Sequence, residues 1–248
     1  MSSNERPVTL ITGGSRGIGA AIARRLARDG HDLALTYRER CDEGETVAAE
    51  CRALGSRVVL LQADLADLDR AESIVTETIG ELGRLTGLVN NAGVTGRIGP
   101  FLATTVEEYE LVFRVNVLAP LVLTRTAIAE MRAHGGGAIV NISSGAVTTG
   151  AAHTYIPYAM SKAALNLLTV GAAKEFAADG VRVNTVSPGT TFTEIHAAAG
   201  RPNAPEERAP GLPMGRAAYP EEIVGAVAYL LSDDASYTSG ADIRITGG

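Results

Sequence analysis

The sequence predicts an α/β protein built on one doubly wound parallel sheet with helices on both faces. Short apolar, β-rich runs alternate with helical stretches along the whole chain of 248 residues. The strand candidates are nearly continuous apolar runs, such as Val58–Leu61, which is typical of strands buried on both faces of a parallel sheet. Neither a linker nor a repeat of fixed period interrupts the alternation, so we expect a single domain over residues 1–248.

The elements follow one another in a regular order. Each strand candidate is a short apolar, β-rich run, and each helix candidate is a longer helical stretch. The strand candidates are Val8–Thr12, Leu33–Tyr37, Val58–Gln62, Leu85–Asn90, Ala138–Ser143, Val181–Ser187 and Asp242–Thr246. The helix candidates are Ile18–Asp29, a stretch ending near Leu54, Leu68–Leu82, Val106–Ala133, Tyr158–Ala178 and Pro220–Leu231.

One segment, Gly189–Ala218, breaks this alternation and is called the lid below. It is rich in proline and follows the carboxyl end of a strand, where open α/β sheets bind ligands. We predict a mobile lid that orders over bound cofactor and substrate, with Thr193, Ile195 and His196 lining the substrate site. Its few charges do not favour a strongly anionic substrate.

Composition and charge exclude several classes of protein. The net charge of −6 argues against nucleic-acid binding, and no apolar run approaches the roughly 20 residues that span a bilayer. Met1–Pro7 is polar, so we expect no signal peptide. Cys41 and Cys51 lie about 15 Å apart if helical, too far for a disulfide. Two free thiols favour a cytoplasmic protein, and the four histidines show no metal-ligand spacing.

A glycine-rich loop follows the first strand and opens the first helix. Within Thr12–Gly19, the residues Gly13, Gly17 and Gly19 allow close approach of backbone to a ligand. Free N–H groups and the helix dipole at such a helix start favour a pyrophosphate. The strand–loop–helix setting therefore predicts a dinucleotide site rather than an ordinary tight turn.

The residues after the second strand indicate which dinucleotide is bound. Sites for NAD usually place an acidic residue there to bind the ribose 2′-hydroxyl. Here the positions are Tyr37 and Arg38, and Arg16 stands inside the glycine loop. Because two guanidinium groups can pair with a 2′-phosphate, we expect NADP(H) to be favoured over NAD(H).

A tyrosine and a lysine with helical i,i+4 spacing are the candidates for catalysis. Tyr158 and Lys162 would lie one turn apart on one helix face, where a cation favours an ionised phenol. Such a pair can donate and accept a proton at neutral pH. Lys162 and Lys174 are the only lysines in the sequence, against 20 arginines, so a lysine at this position indicates a role that arginine cannot fill.

Together these motifs resemble the short-chain dehydrogenase/reductase family, and the resemblance covers essentially the whole chain. It implies a Rossmann-type fold, hydride transfer between a nicotinamide cofactor and a carbonyl or carbinol carbon, and no metal. The motifs are, in order, Thr12–Gly19 (T-G-x-x-x-G-x-G), Asn90–Gly93 (N-N-A-G), Asn116, Ser143–Ser144, Tyr158 with Lys162 (Y-x-x-x-K), and Ser187–Gly189 with its P-G turn.

The catalytic serine requires a choice between neighbours. The family places it 13 residues before the tyrosine, which here is Gly145, whereas Ser144 and Ser143 lie 14 and 15 residues before Tyr158. One inserted residue between Gly145 and Pro157 reconciles the spacing with Ser144. Ser143 would then point to the opposite side of the strand end. Tyr155 lacks a lysine four residues later, which favours Tyr158 as the catalytic tyrosine.

The resemblance implies a role for each catalytic position. Tyr158 would transfer the proton of the substrate oxygen, and Ser144 would hydrogen-bond that oxygen. Lys162 would lower the pKa of Tyr158 and hold the nicotinamide ribose. Asn116 would bind a water that links Lys162 to solvent.

The resemblance also implies a cofactor site, an assembly and several activities. Asp64 would contact the adenine, although a helix amino-terminal cap is its alternative role. Helices near Val106–Ala133 and Tyr158–Ala178 would form one interface of a homotetramer. A 3-oxoacyl thioester reductase, a sugar or polyol dehydrogenase and a non-enzymatic dinucleotide sensor share these motifs, but the intact Tyr158 and Lys162 favour an enzyme. The expected cofactor residues are Gly13, Ser15, Arg16, Gly17, Ile18, Gly19, Tyr37, Arg38, Asp64, Leu65, Asn91, Ala92, Gly93, Tyr158, Lys162, Pro188, Gly189 and Thr191.

Overall fold

A computed structural model describes residues 6–248 of the chain. Its centre is a sheet of seven strands in the order β3-β2-β1-β4-β5-β6-β7, in which every neighbouring pair is parallel. The predicted doubly wound parallel sheet is therefore confirmed. The strands are β1 Val8–Ile11, β2 Asp32–Tyr37, β3 Val58–Gln62, β4 Gly87–Asn90, β5 Gly137–Ile142, β6 Val181–Pro188 and β7 Asp242–Ile245.

Helices cover both faces of the sheet, and most begin and end within two residues of the predicted bounds. Two predicted helices differ more. A π-helical turn over Arg114–Leu118 divides Val106–Ala133 into two α-helices, and Pro220–Leu231 starts with a 3-10 turn and becomes α-helical only at Val224. The α-helices are α1 Gly17–Arg28, α2 Cys41–Ala53, α3 Leu68–Leu82, α4 Val106–Phe113, α5 Ala119–Ala133, α6 Ala146–Thr149, α7 Ile156–Phe176, α8 Ile195–Ala198, α9 Ala204–Arg208 and α10 Val224–Leu231.

Alternating side chains of the strands build a separate core on each face of the sheet. Leu10 of β1 packs on one face with Ile74 of α3 and Leu123 of α5. Ile11, the next residue, packs on the other face with Ile22 of α1 and Val227 of α10. All these side chains are nearly inaccessible to solvent, so the sheet is held between two dry helical layers.

The strand order reverses beside β1, which has β2 on one side and β4 on the other. Leu10 pairs with Ala34 of β2 and with Leu88 of β4. At such a point the connections leave in opposite directions, and a crevice opens beyond the carboxyl ends of the strands. The glycine loop lies at this crevice, where the sequence predicted the cofactor.

The run Val106–Ala133 is long and apolar enough to cross a membrane by length and composition alone, contrary to the expectation from the sequence. Half of its most apolar 18-residue stretch is buried within the protein. Leu123 and Met131 of α5 are completely buried in the core under the sheet. Their packing is that of a core helix.

The lid is more ordered than its proline content suggests. It contains the two short helices α8 and α9. At its base, Thr191 bridges Ala218, and the ring of Phe192 stacks on that of Tyr219 with centroids 5.1 Å apart. The ends of the lid are thus joined, and the segment between them extends over the crevice.

Candidate active site

A cleft of about 1340 Å³ opens at the carboxyl edge of the sheet. The glycine loop, at one end, forms the floor of the cleft together with the turns after β4 and β5. The lid forms one wall. Every predicted catalytic side chain except Asn116 lines this cleft, and Asn116 is completely buried behind it. The fold thus brings together residues that are far apart in the chain, such as Arg16 and Glu194, which are separated by 178 positions.

The glycine loop has the conformation and the space that an anionic ligand requires. Gly13 and Gly17 adopt φ angles of 65° and 53°, which residues other than glycine rarely adopt. A Cβ on Gly19 would lie 2.1 Å from the Gly13 carbonyl oxygen. Arg16 precedes α1 without a side-chain cap, so the first N–H groups of the helix remain available to an anion.

The turn after β4 braces this loop from below. Thr12 Oγ1 accepts hydrogen bonds from the backbone N–H groups of Asn91 and Ala92, each at 3.0 Å. The Asn91 side-chain amide donates to the carbonyl oxygens of Thr12 and Gly13 at 2.8 and 3.2 Å. Asn91 was predicted to line the cofactor site, and the structure shows that its amide also fixes the glycine loop.

At the glycine-loop end of the cleft, two arginines gather around one carboxylate of the lid. Glu194 Oε2 accepts from Arg16 at 2.7 Å and from Arg40 at 3.1 Å. Arg38, which the sequence paired with Arg16, instead pairs with Glu39 at 2.8 Å. Arg40 was missed by the sequence analysis, although it stands two residues beyond Arg38 and lines the same cleft.

The predicted adenine contact also lies in the cleft. Asp64 is exposed there, and its Oδ1 accepts from the backbone N–H of Ala66 at 2.9 Å. The alternative role of Asp64 as a helix cap is wrong, because Asp67 caps α3 by accepting from Asp69 and Arg70.

Tyr158 and Lys162 lie one turn apart on α7, and both are buried. Lys162 Nζ lies 5.7 Å from the centre of the Tyr158 ring and donates to the Ile142 carbonyl oxygen at 2.8 Å. Burial lowers the pKa of Lys162 to about 8. Burial also raises the pKa of Tyr158 to about 12, against a hydrogen bond with Ser144 that lowers it. The pKa of Tyr158 is thus raised, where the sequence led us to expect a lowered value.

The two serines after β5 face different directions. Ser144 lines the cleft within hydrogen-bonding reach of Tyr158, and its Oγ accepts from the Ala146 N–H at 3.1 Å. Ser143 is buried, and its Oγ donates to the Lys162 carbonyl oxygen at 3.2 Å. This placement supports Ser144, rather than Ser143, as the serine of the site.

Asn116 lies in the π-helical turn and connects three parts of the floor. Its side-chain amide donates to the Val94 carbonyl oxygen at 2.8 Å and to Ser161 Oγ at 3.0 Å, and its Oδ1 accepts from the Val94 N–H. A Cβ on Gly93 would lie only 3.2 Å from Asn116 Oδ1 and 3.3 Å from Lys162 Nζ. These contacts position the turn beside Lys162, and the water binding expected of Asn116 stays a prediction.

The remaining predicted residues lie where the sequence placed them. Pro188 ends β6, Gly189 abuts Thr246 too closely for a side chain, and Thr191 is buried with its hydroxyl on the Gly189 carbonyl oxygen. His196 is 8% exposed and lines the cleft, so it is a buried wall residue rather than a solvated one. The others on the cleft wall are Ser15, Ile18, Tyr37, Leu65, Thr193 and Ile195.

Tyr155 and Arg208 form a contact that the sequence did not indicate. Arg208 Nη1 donates to the Tyr155 hydroxyl at 2.9 Å, and its guanidinium lies 5.5 Å from the centre of that ring. The Tyr155 ring in turn meets the Tyr158 ring edge to face, with centroids 5.2 Å apart. Across residues 6–248 no group of three His, Cys, Asp or Glu side chains could hold a metal ion.

Comparisons with known proteins agree on one family. The model described as Enoyl-(Acyl carrier protein) reductase matches residues 13–248. An uncharacterized oxidoreductase of Escherichia coli (strain K12), YgfF, is 37% identical over 97% of this chain and 99% of its own. The 3-oxoacyl-[acyl-carrier-protein] reductase FabG of Staphylococcus aureus (strain N315) is 34% identical over 96% of each chain. A short chain dehydrogenase from Burkholderia cenocepacia J2315, solved in complex with NADP, superposes with a TM-score of 0.90 at 34% identity, covering 98% of this chain and 97% of that one.

Proposed function

Because the chain belongs to the short-chain dehydrogenase/reductase family, it is an oxidoreductase, and we propose that it interconverts a carbonyl group and a secondary alcohol with NADP(H) as its preferred cofactor. The observation that carries this proposal is the buried pair of Tyr158 and Lys162, with Ser144 beside it, in the same cleft as the glycine loop. Proton transfer and dinucleotide binding thus share one space.

The residues of the cleft fit a nicotinamide dinucleotide. The uncapped start of α1 and the side-chain-free cradle around Gly13 and Gly19 suit a pyrophosphate. Lys162, beside Gly93 on the floor, would hold the nicotinamide ribose. When bound, the nicotinamide ring supplies or accepts the hydride. We assign the cofactor site to the full set predicted from the sequence, with Arg40 added.

The protein's own groups handle the proton. With its pKa raised to about 12, Tyr158 stays protonated at neutral pH and can donate to a carbonyl oxygen. Ser144 stabilises the charge that develops on that oxygen. Lys162, with a pKa lowered to about 8, is still mostly charged at pH 7, and its charge favours the phenolate left behind.

The preference for NADP(H) rests on the arginine end of the cleft. No acidic side chain occupies the end of β2, where Tyr37 lies, and Arg38 follows. Arg16 and Arg40 already converge on one carboxylate oxygen, which shows that both guanidinium groups can reach a common anion.

The catalytic assignment is tested by Tyr158→Phe, with Tyr229→Phe as the matched control. The Tyr229 hydroxyl contacts Thr238 on the surface, away from the cleft. We expect Tyr158→Phe to lower kcat by about 10²- to 10⁴-fold and to leave NADPH binding nearly unchanged. Activity should be followed as NADPH oxidation across ketones, 3-oxoacyl thioesters and keto sugars. If a folded Tyr158→Phe variant keeps more than half of the wild-type kcat, the assignment is wrong.

The cofactor preference is tested by titrating both reduced cofactors and following their fluorescence. We expect tighter binding of NADPH, and we expect Tyr37→Asp to shift the preference toward NADH by repelling the 2′-phosphate. Equal or tighter NADH binding by the wild type would contradict the preference.

We assign the chain to a homotetramer, as the family resemblance implied. Exposed apolar side chains concentrate on α4, α5 and α7, the helices named for one interface, and Leu167 is 73% exposed. Light scattering should give a tetramer, and Leu167→Glu should reduce it to a dimer. A monomeric wild type would contradict the assignment. The exposed side chains on these helices are Val106, Leu111, Leu121, Met160, Leu167 and Val170.

We also place the enzyme in the cytoplasm. Cys41 is exposed and Cys51 is buried, and both are free thiols, as in a reducing compartment. Cell fractionation tests this location, and recovery outside the cytoplasmic fraction would contradict it.

A further inference from the structure

Three arginines lie in the lid, and one of them differs from the others. Arg201 forms an ion pair with Glu207, and Arg216 pairs with Glu222 at 2.6 Å. Arg208 pairs with no carboxylate among residues 6–248, although Glu206 and Glu207 directly precede it. It is half-buried on the cleft wall, so its charge faces the substrate end of the cleft.

The contacts of Arg208 leave much of its guanidinium unused. One nitrogen, Nη1, donates to the Tyr155 hydroxyl at 2.9 Å, and no other hydrogen bond of its side chain joins it to a described residue. A guanidinium carries five N–H donors in a planar fork that matches a carboxylate. The guanidinium lies 5.5 Å from the centre of the Tyr155 ring, and the centre of the Tyr158 ring lies 5.2 Å beyond that of Tyr155. The Tyr155 ring thus lies between the guanidinium and Tyr158.

His196 supplies a second unused polar group in the same wall. Its side chain is 8% exposed, and its Nδ1 has no hydrogen-bond partner in the part of the chain that the structure describes. Burial, with the charges of Arg208 and Arg201, lowers the pKa of His196 and so favours the neutral ring, which carries one N–H donor. Buried polar groups nearly always have partners, so a missing partner here indicates a ligand.

The loop that carries Tyr155 is strained. Ala151 and His153 adopt φ angles of 48° and 62°, the only positive values among the non-glycine residues that the structure describes. Such strain persists where the surrounding structure enforces it and is concentrated at functional sites. The one-residue insertion expected from the Ser144–Tyr158 spacing falls between Gly145 and Pro157, the segment that contains both these strained residues and Tyr155.

We propose that Arg208 and His196 bind a carboxylate of the substrate, so that the enzyme acts on oxo acids and the corresponding hydroxy acids. Tyr155, held by its strained loop, positions the guanidinium, and Tyr158 receives the oxo group at the other end of the same molecule. Ala146 and Ala151, which pack with the two tyrosines and line the cleft, would contact the carbon chain between the two groups. The inference rests on the proposed carbonyl reduction, and it reverses the expectation from the sequence that the lid disfavours an anion.

The test compares straight-chain oxo acids, from the 2-oxo to the 6-oxo isomers, each with its methyl ester. We expect kcat/KM for the best acid to exceed that of its ester at least tenfold. Arg208→Met should lower kcat/KM for the acid by about 10- to 100-fold, mainly through KM, and change that of the ester less than threefold. Arg201→Gln removes a charge from the same lid and should preserve the preference for the acid.

Two further variants separate anion binding from lid structure. Tyr155→Phe removes the hydrogen bond of Arg208 to the tyrosine hydroxyl but keeps the guanidinium and the ring beneath it, so the preference for the acid should weaken without being lost. If Tyr155→Phe abolishes that preference as fully as Arg208→Met, Arg208 only holds the lid and the proposal is wrong. His196→Phe should lower kcat/KM for the acid severalfold and spare the ester.

A binding measurement distinguishes the failure of this inference from the failure of the proposed function. Hexanoate should raise the Tm of the wild-type protein in the presence of NADP, whereas hexanamide should not, and Arg208→Met should abolish the difference. Reduction of esters with no preference for acids, or equal losses in Arg208→Met and Arg201→Gln, would overturn the carboxylate site alone. Reduction of no carbonyl compound at all would overturn the proposed function, whatever hexanoate does.

Discussion

The floor of the cleft and its lid are held by different kinds of interaction. The floor, taken as the glycine loop Thr12–Gly19 with Asn91, Asn116 and Lys162, is fixed by backbone carbonyls, amide groups and buried side chains. Between its joined ends, the lid makes polar contacts with the rest of the cleft through charged side chains: exposed Glu194 pairs with Arg16, and half-buried Arg208 contacts the Tyr155 hydroxyl. Buried hydrogen bonds are costly to break, whereas exposed ion pairs contribute little.

This difference corresponds to two tasks. Under the proposed function, the pyrophosphate of a dinucleotide needs a cradle that does not reorganise, and the floor would provide it. A lid must open for exchange of substrate and cofactor, so weak contacts suit it. The comparison teaches that the floor should respond sharply to the addition of a single methyl group, while the lid should respond gradually to the loss of a charge.

The largest expected effect is on the floor, from Gly19→Ala. A Cβ there would lie 2.1 Å from the Gly13 carbonyl oxygen, so the loop must move away from the geometry that suits a pyrophosphate. We expect NADPH affinity to fall at least about 100-fold, measured by fluorescence titration. Gly80→Ala is the control, because nothing surrounds that position in α3, and it should stabilise the protein by about 1 kcal/mol. Near-normal NADPH binding by Gly19→Ala would show that the cradle is adaptable.

The second effect concerns the charge buried in the floor. Lys162 has a pKa lowered from 10.5 to about 8, so the unfolded chain binds more protons than the folded one between those pH values. Stability therefore rises with pH across that window, and below it burial of the charge costs about 3 kcal/mol. A variant without the lysine avoids this cost but also loses the hydrogen bond to the Ile142 carbonyl oxygen, which contributes about 1 kcal/mol to stability.

Lys162→Met should accordingly raise the free energy of unfolding by about 2 kcal/mol at pH 7 in the absence of cofactor, while abolishing turnover. Urea unfolding at pH 7 and pH 10 measures the difference, which should nearly vanish at the higher pH. Lys174→Met, in the exposed last turn of the same helix, should change neither stability nor activity appreciably. A destabilised Lys162→Met variant at pH 7 would mean that the lysine stabilises the fold.

The floor was largely predictable from the sequence, because its determinants are local. Positive φ angles require glycine at Gly13 and Gly17, and helical spacing alone places Tyr158 beside Lys162. The predicted strand bounds were close to the observed ones for the same reason, since a short apolar run indicates a buried strand without reference to distant residues. What local pattern could not show was the π-helical turn around Asn116, which depends on contacts with Val94 and Ser161 from other elements.

The contacts of the lid were not predictable, because their partners are distant in the chain. Arg40 and Glu194 are 154 residues apart, and Tyr155 and Arg208 are 53 apart. No spacing rule relates such positions, and an arginine in a loop is usually only a solvated charge. The raised pKa of Tyr158 also escaped the sequence analysis, because burial in the folded protein raises it by more than the hydrogen bond with Ser144 lowers it.

The smallest expected effect is on the lid, from Glu194→Gln. In the wild type this carboxylate occupies Arg16 and Arg40, the groups that a 2′-phosphate would recruit, so lid closure and phosphate binding compete for the same donors. Removing the charge should tighten NADPH binding about two- to fivefold and leave NADH binding unchanged, because NADH has no 2′-phosphate. Hydrogen exchange in residues 189–218 should be faster in this variant without cofactor, and it should slow in both proteins when NADPH binds. Strong protection of the free wild-type lid would show a fixed structural element instead. A parallel gain in NADH affinity would show that Glu194 acts on the lid alone, without competing for the phosphate site.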